Sequence, residues 1–303
     1  MPAYLPMDPT DHVTVVAAMG RLGRQGGWDR LRAGMPLSSV DLIDADLLVA
    51  AGVLSRSGTD TFAVTDPDLG VIDGDVLSNG ASAQLRRALA HVDRQELGWT
   101  GRDPELVMSQ GRSSRAGAEF IARELLPAMP GSRAAFESGS ARFLDVGVGV
   151  GAISIRLCQL YAGLDCVGLD VLDEPLRLAA AELVKYQLTD RVQLRRQSVA
   201  DLTDEASYDL AWLPQVFIPR AAFDEGCRRV QAALRPDRWV VVPIAASTAN
   251  DAFEAAVFTH TAHLQGGGPL DPAEAVAVLT AAGFVDPTPK SWRGQLLIVA
   301  RRP

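Results

Sequence analysis

From Arg142 to the C-terminus, short apolar runs alternate with segments whose apolar residues recur every three to four positions. That alternation predicts an α/β domain with a largely parallel sheet. Strands are expected at Phe143–Val146, Asp165–Leu169, Val192–Arg195, Tyr208–Leu213, Trp239–Ile244, Phe284–Pro287 and Gln295–Ala300. Three helical faces are expected between them: Ile153, Leu157, Leu160 and Tyr161; Leu176, Ala180, Leu183 and Val184; and Phe223, Cys227, Val230 and Leu234. Asp271, Pro272 and Glu274 have the spacing of a capped helix start, and Gly283 marks its end. A further helix is expected over 251–264, opened by Asp251 with Glu254 and buried along Phe253, Val257, His260 and Leu264.

The first 80 residues have a different pattern. Ser38–Gly52 reads as a helix, and Gly52–Thr65 as a small hairpin turning at Ser57-Gly58. A helix followed by a hairpin is the back half of a winged helix-turn-helix. Residues 82–97 read as a helix burying Leu85, Leu89 and Val92. Ser114–Leu126 reads as another, ended by Pro127, Pro130 and Gly131. The expected division is a mainly helical, winged-helix-like domain over 1–100 and an α/β domain with lead-in helices over 101–303.

Composition narrows the function classes. No apolar run reaches the length of a membrane span, and the first residues lack the layout of an export signal, which leaves the cytoplasm as the expected compartment. Cys158, Cys166 and Cys227 lack close CxxC spacing, so reduced thiols are expected rather than a disulfide framework or a zinc site. The net charge is −8, and the first 80 residues hold 11 aspartates against 5 arginines. That sign opposes phosphate contacts, so no nucleic-acid partner is expected, and a DNA-binding regulator is the weaker reading of the N-terminal hairpin.

Residues 143–157, FLDVGVGVGAISIRL, carry the chemistry. A strand ends in Asp145, and Gly147, Gly149 and Gly151 space a tight turn into a helix. Glycine is required where a ligand lies against bare backbone and the turn enters conformations closed to side chains. The spacing is GxGxG, whereas dinucleotide folds use GxGxxG. A carboxylate two residues before the first glycine is unfavourable for a pyrophosphate and favourable for an ammonium or sulfonium. An NAD-dependent oxidoreductase is therefore the poorer alternative. Nineteen residues after Gly151, Asp170 closes the strand DCVGLD, where an acid can accept hydrogen bonds from both hydroxyls of a ribose.

With these motifs in hand, residues 142–303 resemble the class I S-adenosylmethionine (SAM) dependent methyltransferases. The resemblance implies a Rossmann-like seven-stranded sheet of order 3-2-1-4-5-7-6 with its last strand antiparallel. It implies SAM as cofactor, with Asp145, Gly147, Gly149 and Gly151 at the methionine part and Asp170 at the ribose. The family's adenine-binding aspartate is replaced by Ser198, followed by Val199, with Asp201 as the other candidate. The whole layout is similar to bacterial small-molecule O-methyltransferases with an N-terminal winged-helix-like domain. In those relatives that domain builds a homodimer and covers the substrate.

The acceptor is less constrained. The fourth strand of this domain runs into Trp212-Leu213-Pro214-Gln215-Val216-Phe217, which departs from the [DN]PP[YF] signature of enzymes acting on bases or protein glutamine. No aspartate at that strand end offers a magnesium ligand. A metal-independent enzyme acting on a small molecule is expected, with Gln215 and Trp212 placed to touch cofactor or substrate. The family's catalytic histidine is absent after this strand, so transfer to oxygen, nitrogen or carbon stays open. His260, and secondarily His263, are the candidate bases, since a histidine desolvated on an apolar face stays neutral and can take a proton.

Overall fold

The structure is a computed structural model describing residues 9–24, 26–65, 74–94, 98–247, 252–292 and 295–303. The chain forms two compact units. The first comprises residues 1–93 with 105–114, and the second 94–104 with 115–303.

In the first unit, helices α1 (Pro9–Arg24), α2 (Gly27–Arg32) and α3 (Asp41–Ala50) precede a hairpin of β1 (Leu54–Arg56) and β2 (Phe62–Val64). Ser38 caps the start of α3, accepting from Asp41 N at 3.3 Å. The hairpin pairs Leu54 with Val64 and Arg56 with Phe62, and its turn closes by Ser57 N donating to Thr61 O. Leu22, Trp28, Leu48, Leu54 and Phe62 form the core, and Trp28 Nε1 donates to Met19 O at 3.0 Å. The unit continues through α4 (Gly74–Arg94) and most of α5 (Pro104–Ser114).

The expected buried face of α4 is corrected. Leu89 and Val92 are 60% and 74% exposed, while Ala83, Arg87 and Ala90 are buried. Small residues decide the packing. Ser78 Oγ donates to Gly20 O at 2.7 Å, and an added Cβ at Gly20 would lie 3.2 Å from Ala81 Cβ. Farther along α4 the buried face passes through Arg87, whose guanidinium donates to Gln110 Oε1 of α5 at 2.9 Å, leaving Leu89 and Val92 on the outer side.

The second unit has a seven-stranded sheet of β3 (Arg142–Val146), β4 (Asp165–Asp170), β5 (Val192–Arg196), β6 (Tyr208–Trp212), β7 (Leu234–Ser247), β8 (Val285–Trp292) and β9 (Gln295–Arg301). The spatial order is β5-β4-β3-β6-β7-β9-β8. All described pairings are parallel except those of β9, which runs antiparallel to β7 and β8. Counted within this sheet, the order is 3-2-1-4-5-7-6 with the last strand reversed, as the sequence led us to expect.

Helices cover both faces. On one side Phe223, Cys227 and Val230 of α10 (Arg220–Ala233) and Ala275 and Leu279 of α12 (Pro272–Ala281) pack on Leu144, Ala211 and Val240. On the other, α6 (Ala116–Phe120), α7 (Pro130–Ser138), α8 (Ala152–Leu160) and α9 (Asp173–Tyr186) contribute Phe120, Phe136, Leu157 and Leu183 against Phe143, Trp212 and Val241. A core closed on both faces explains why the central strands read as continuous apolar runs.

Several local expectations shift. The face of α9 is Pro175, Ala179 and Leu183, with Val184 exposed, one residue out of register with the predicted stripe. Leu160 at the end of α8 is also exposed. Pro130 opens α7 instead of ending the preceding helix, because proline at the first helical position has no amide the helix needs. β8 extends through Pro287 and Pro289 to Trp292, which prolines tolerate on an edge strand. The predicted Asp271 cap is present, accepting from Ala273 N at 2.8 Å and Glu274 N at 3.3 Å. Glu274 pairs with Arg220 at 2.7 Å.

Candidate active site

The chain reverses its direction of growth at β3: β4 and β5 lie on one side, β6 and β7 on the other. In open α/β sheets, ligands bind at the carboxyl end of the strands at such a switch. The glycine loop Gly147–Gly151 occupies this position. Gly147, Gly149 and Gly151 have φ of 66°, 56° and 78°, values that side-chain-bearing residues adopt at a cost. An added Cβ at Gly147 would meet only Pro214 Cγ at 3.8 Å, and one at Gly149 only Gly147 O at 3.9 Å. The loop therefore presents bare backbone to an open crevice.

Three contacts fix the loop on β4. Val148 N donates to Leu169 O at 2.8 Å, and Gly149 N donates to Asp170 Oδ2 at 3.1 Å. Val148 also packs directly on Gly168, where an added Cβ would come within 2.6 Å of Val148 Cγ2. Gly168 is thus required by its neighbour's side chain, a need visible only once the two strands are paired.

Asp145 is 2% exposed at the end of β3 and accepts a hydrogen bond from Ser154 Oγ of α8 at 2.6 Å. Burial pushes its carboxyl up to about 7, against the opposing effect of the Ser154 bond, with the nearby Asp170 charge adding to the rise. Asp170 accepts from Gly149 N and, at 3.0 Å, from Leu172 N. Its carboxyl too is raised, by burial first, with the backbone donors pulling it back. Asp170 is only 8% exposed, because the glycine loop folds over it. Beside it, Val171 is 56% exposed just past the end of β4, which the sequence reading missed.

On the next strand, Ser198 caps the short turn Val199–Asp201, its hydroxyl accepting from Ala200 N at 3.2 Å. Val199 is buried against Gly226 of α10, so only its backbone can serve a ligand. Asp201 is exposed.

Gln215 is placed differently from expectation. It is buried, and its amide is engaged with backbone: Nε2 donates to Gly267 O at 3.0 Å and Gly268 O at 3.1 Å, and Oε1 accepts from Ala245 N at 3.0 Å. It ties the turn after β6 to the end of β7 and to the glycine run after α11 (Ala252–Gln265). Trp212 is buried in the core.

His260 and His263 both lie exposed on α11, whose described packing residue is Ala262. The expectation that His260 shares a buried face is corrected. The cap at Asp251 and the side chains of Glu254, Phe253 and Val257 lie outside the described residues. Among the described residues, no three His, Cys, Asp or Glu side chains gather as a metal site would require.

Two buried carboxylates flanking a loop of bare backbone make this crevice suited to a ligand carrying positive charge and hydroxyl donors. A pyrophosphate would meet carboxylates where it needs donors.

Comparison with known proteins agrees with this geometry. Residues 143–237 match the family description "Methyltransferase domain". A release factor glutamine methyltransferase of Agrobacterium fabrum is 28% identical over 197 residues, covering 63% of this chain and 61% of that protein. The match thus spans about three-fifths of the relative's length. Among solved structures, the pyocyanin biosynthetic protein PhzM superposes with a TM-score of 0.64 at 18% identity, over 95% of both chains. Human N-acetylserotonin methyltransferase, solved with SAM, gives 0.62 at 15% identity over 100% of this chain and 99% of that one. The neocarzinostatin O-methyltransferase NcsB1, solved with SAM and a naphthoic acid, gives 0.58 at 18% over 98% and 97%. Residues 143–237 thus match a methyltransferase domain, and the chain shares the fold of these methyltransferase structures.

Proposed function

We propose that the protein transfers a methyl group from SAM to an oxygen, nitrogen or carbon of a small-molecule acceptor, without a metal ion. The observation that carries the reading is the pair of buried carboxylates, Asp145 and Asp170, on either side of the Gly147–Gly151 loop. When bound, SAM supplies a methyl already activated by its sulfonium, so no further activation of the donor is needed.

The chain's own residues bind and orient. Asp145 holds negative charge for the ammonium and sulfonium end, and Ser154 fixes the rotamer of its carboxyl. Asp170 serves the ribose hydroxyls while keeping Gly149 in place. Val171 offers apolar surface to the adenine, and Ser198 with the Val199 backbone, or Asp201, serves its edge. Gln215 positions the glycine run Gly266–Gly268 beside the crevice and excludes water behind it. His260, or else His263, takes the acceptor's proton where the acceptor needs a base. Both are on the element that follows β7, next to the Gln215–Phe217 turn.

The small-molecule reading draws support from the matched structures, one of which holds 2-hydroxy-5-methyl naphthoic acid beside SAM, and from the lack of the [DN]PP[YF] motif. We assign the first unit to acceptor enclosure and to a homodimer, because Val13, Val40, Ile43, Leu89 and Val92 leave it with exposed apolar surface. Its acidic sequence argues against a nucleic-acid partner. The buried, unlinked thiols Cys158 and Cys166, 3.6 Å apart, suit the cytoplasm. No described helix is long and apolar enough to cross a membrane.

The test is to incubate the protein with methyl-labelled SAM and a panel of phenols, aryl amines and enols, and to follow labelled product and S-adenosylhomocysteine (SAH) by mass spectrometry. Labelled product with equimolar SAH supports the reading. Absence of both across the panel, with no SAH binding, overturns it.

A further inference from the structure

Residues Gly98–Pro104 belong to the second unit, although most of α4 and of α5 on either side belongs to the first. Their described contacts lie beyond the carboxyl ends of the strands. An added Cβ at Gly266 would lie 3.0 Å from Gly98 Cα, which places Gly98 at the glycine run after α11. Trp99 packs edge-on against Phe217, just past β6, with ring centroids 5.7 Å apart. Gly101, buried and with φ of 69°, lies against the start of α9 just past β4, where an added Cβ would meet Leu172 Cδ1 at 3.3 Å and Pro175 Cδ at 3.4 Å.

Between the ends of β6 and β4 lies β3 with its glycine loop. Two strand spacings are about 10 Å, and the two residues from Trp99 to Gly101 span at most about 7 Å of backbone. The side chains of Trp99, Phe217 and Leu172 span the remainder. The segment thus bridges from the end of β6 to the end of β4, the two strand ends that flank the Gly147–Gly151 loop.

We infer that Gly98–Pro104 is a strap forming the outer wall of the cofactor crevice, and that cofactor enters and leaves only when the Trp99–Phe217 and Gly101–Leu172 contacts part. The inference rests on the SAM reading above. Gly101 fits it well: a side chain there would be strained in backbone and pressed on Leu172, so the strap can lie flat only with glycine. The Gly98–Gly266 contact keeps its near end anchored.

The test uses the full chain and SAH as probe. Stopped-flow displacement of SAH is compared for wild type, Trp99→Ala and Gly101→Val, with melting curves to establish that each variant is folded. Hydrogen exchange of amides 98–103 is measured with and without SAH. Both variants are expected to release SAH at least tenfold faster, and SAH is expected to slow exchange across the strap in wild type. Where wild type binds SAH but the variants release it within twofold of its rate and strap exchange is unchanged, the strap is overturned and the SAM reading stands. Where wild type does not bind SAH, the SAM reading itself fails. Should either variant fail to fold, the exchange experiment on wild type decides alone.

Discussion

Burial holds the Asp145 carboxyl up to about 7, so the ligand-free protein near neutrality carries this group about half protonated. A ligand that presents a cation to Asp145 binds the carboxylate form and must expel the proton. With the bound form fully ionised, the apparent affinity scales with the ionised fraction of the free protein. Between pH 7.5 and 5.5 that fraction falls about 25-fold, roughly 1.9 kcal/mol at 1.36 kcal/mol per tenfold. Titration calorimetry with SAH in this window, in two buffers of different ionisation enthalpy, should show weakening of that size and release of about half a proton at pH 7. Asp145→Asn keeps an acceptor for Ser154 Oγ. It should bind SAH more weakly at pH 7.5 and lose this part of the pH dependence. Asp170 is also raised, so the difference between the two profiles isolates Asp145. The linkage has a matching sign in stability. A raised carboxyl stabilises the fold at low pH, and this contribution is lost as pH rises from about 4 through about 7, because the native state holds a proton that the unfolded chain has released. Flat affinity in wild type, or an undiminished slope in Asp145→Asn, would refute the assignment of Asp145 to the cationic end of the ligand.

Other expectations follow from single contacts. Asp170→Ala removes the acceptor for Gly149 N and Leu172 N as well as for ribose, so SAH affinity should fall by roughly 1.5–3 kcal/mol and the melting temperature should fall with it. An affinity unchanged by calorimetry would confine the residue to local capping. Gly168→Val forces a side chain into Val148 and should cost about 1–3 kcal/mol in denaturant melts, with SAH binding weakened as the loop shifts. His260→Ala should lower turnover about 10²–10⁴-fold at nearly constant SAH affinity if the histidine is a base. Turnover within a few-fold would mean the acceptor needs none.

The sheet and its cofactor loop could be read from the sequence because each rests on local rules. Apolar runs between helical stripes predicted the strands, and the Asp145–Gly151 spacing needs only its own backbone to make sense. Tertiary partners decided what was misplaced. Leu89 and Val92 have the spacing of a core stripe, but the buried face of α4 runs through Ser78, Ala81, Arg87 and Ala90, held by contacts to Gly20 and Gln110. Asp170 reads as a surface acid until the loop from β3 is seen folded over it. Gln215 looks like a pocket residue, yet its amide joins two backbone segments thirty and more positions away, at Ala245 and at Gly267–Gly268, contacts that no periodicity encodes. The same holds for Ser154, whose hydroxyl reaches Asp145 only because α8 packs on β3, and for the Gly98–Pro104 strap, which reads as an ordinary linker.

The central claim is that the crevice at the Gly147–Gly151 loop takes a SAM-type ligand and not a dinucleotide. Thermal unfolding with SAM, SAH and NAD, each at about 100 times its dissociation constant or at the solubility limit, tests it directly. SAM and SAH should each stabilise the fold by roughly 2.7 kcal/mol, with NAD leaving the melt unchanged; stabilisation by NAD with none by SAM or SAH would contradict it.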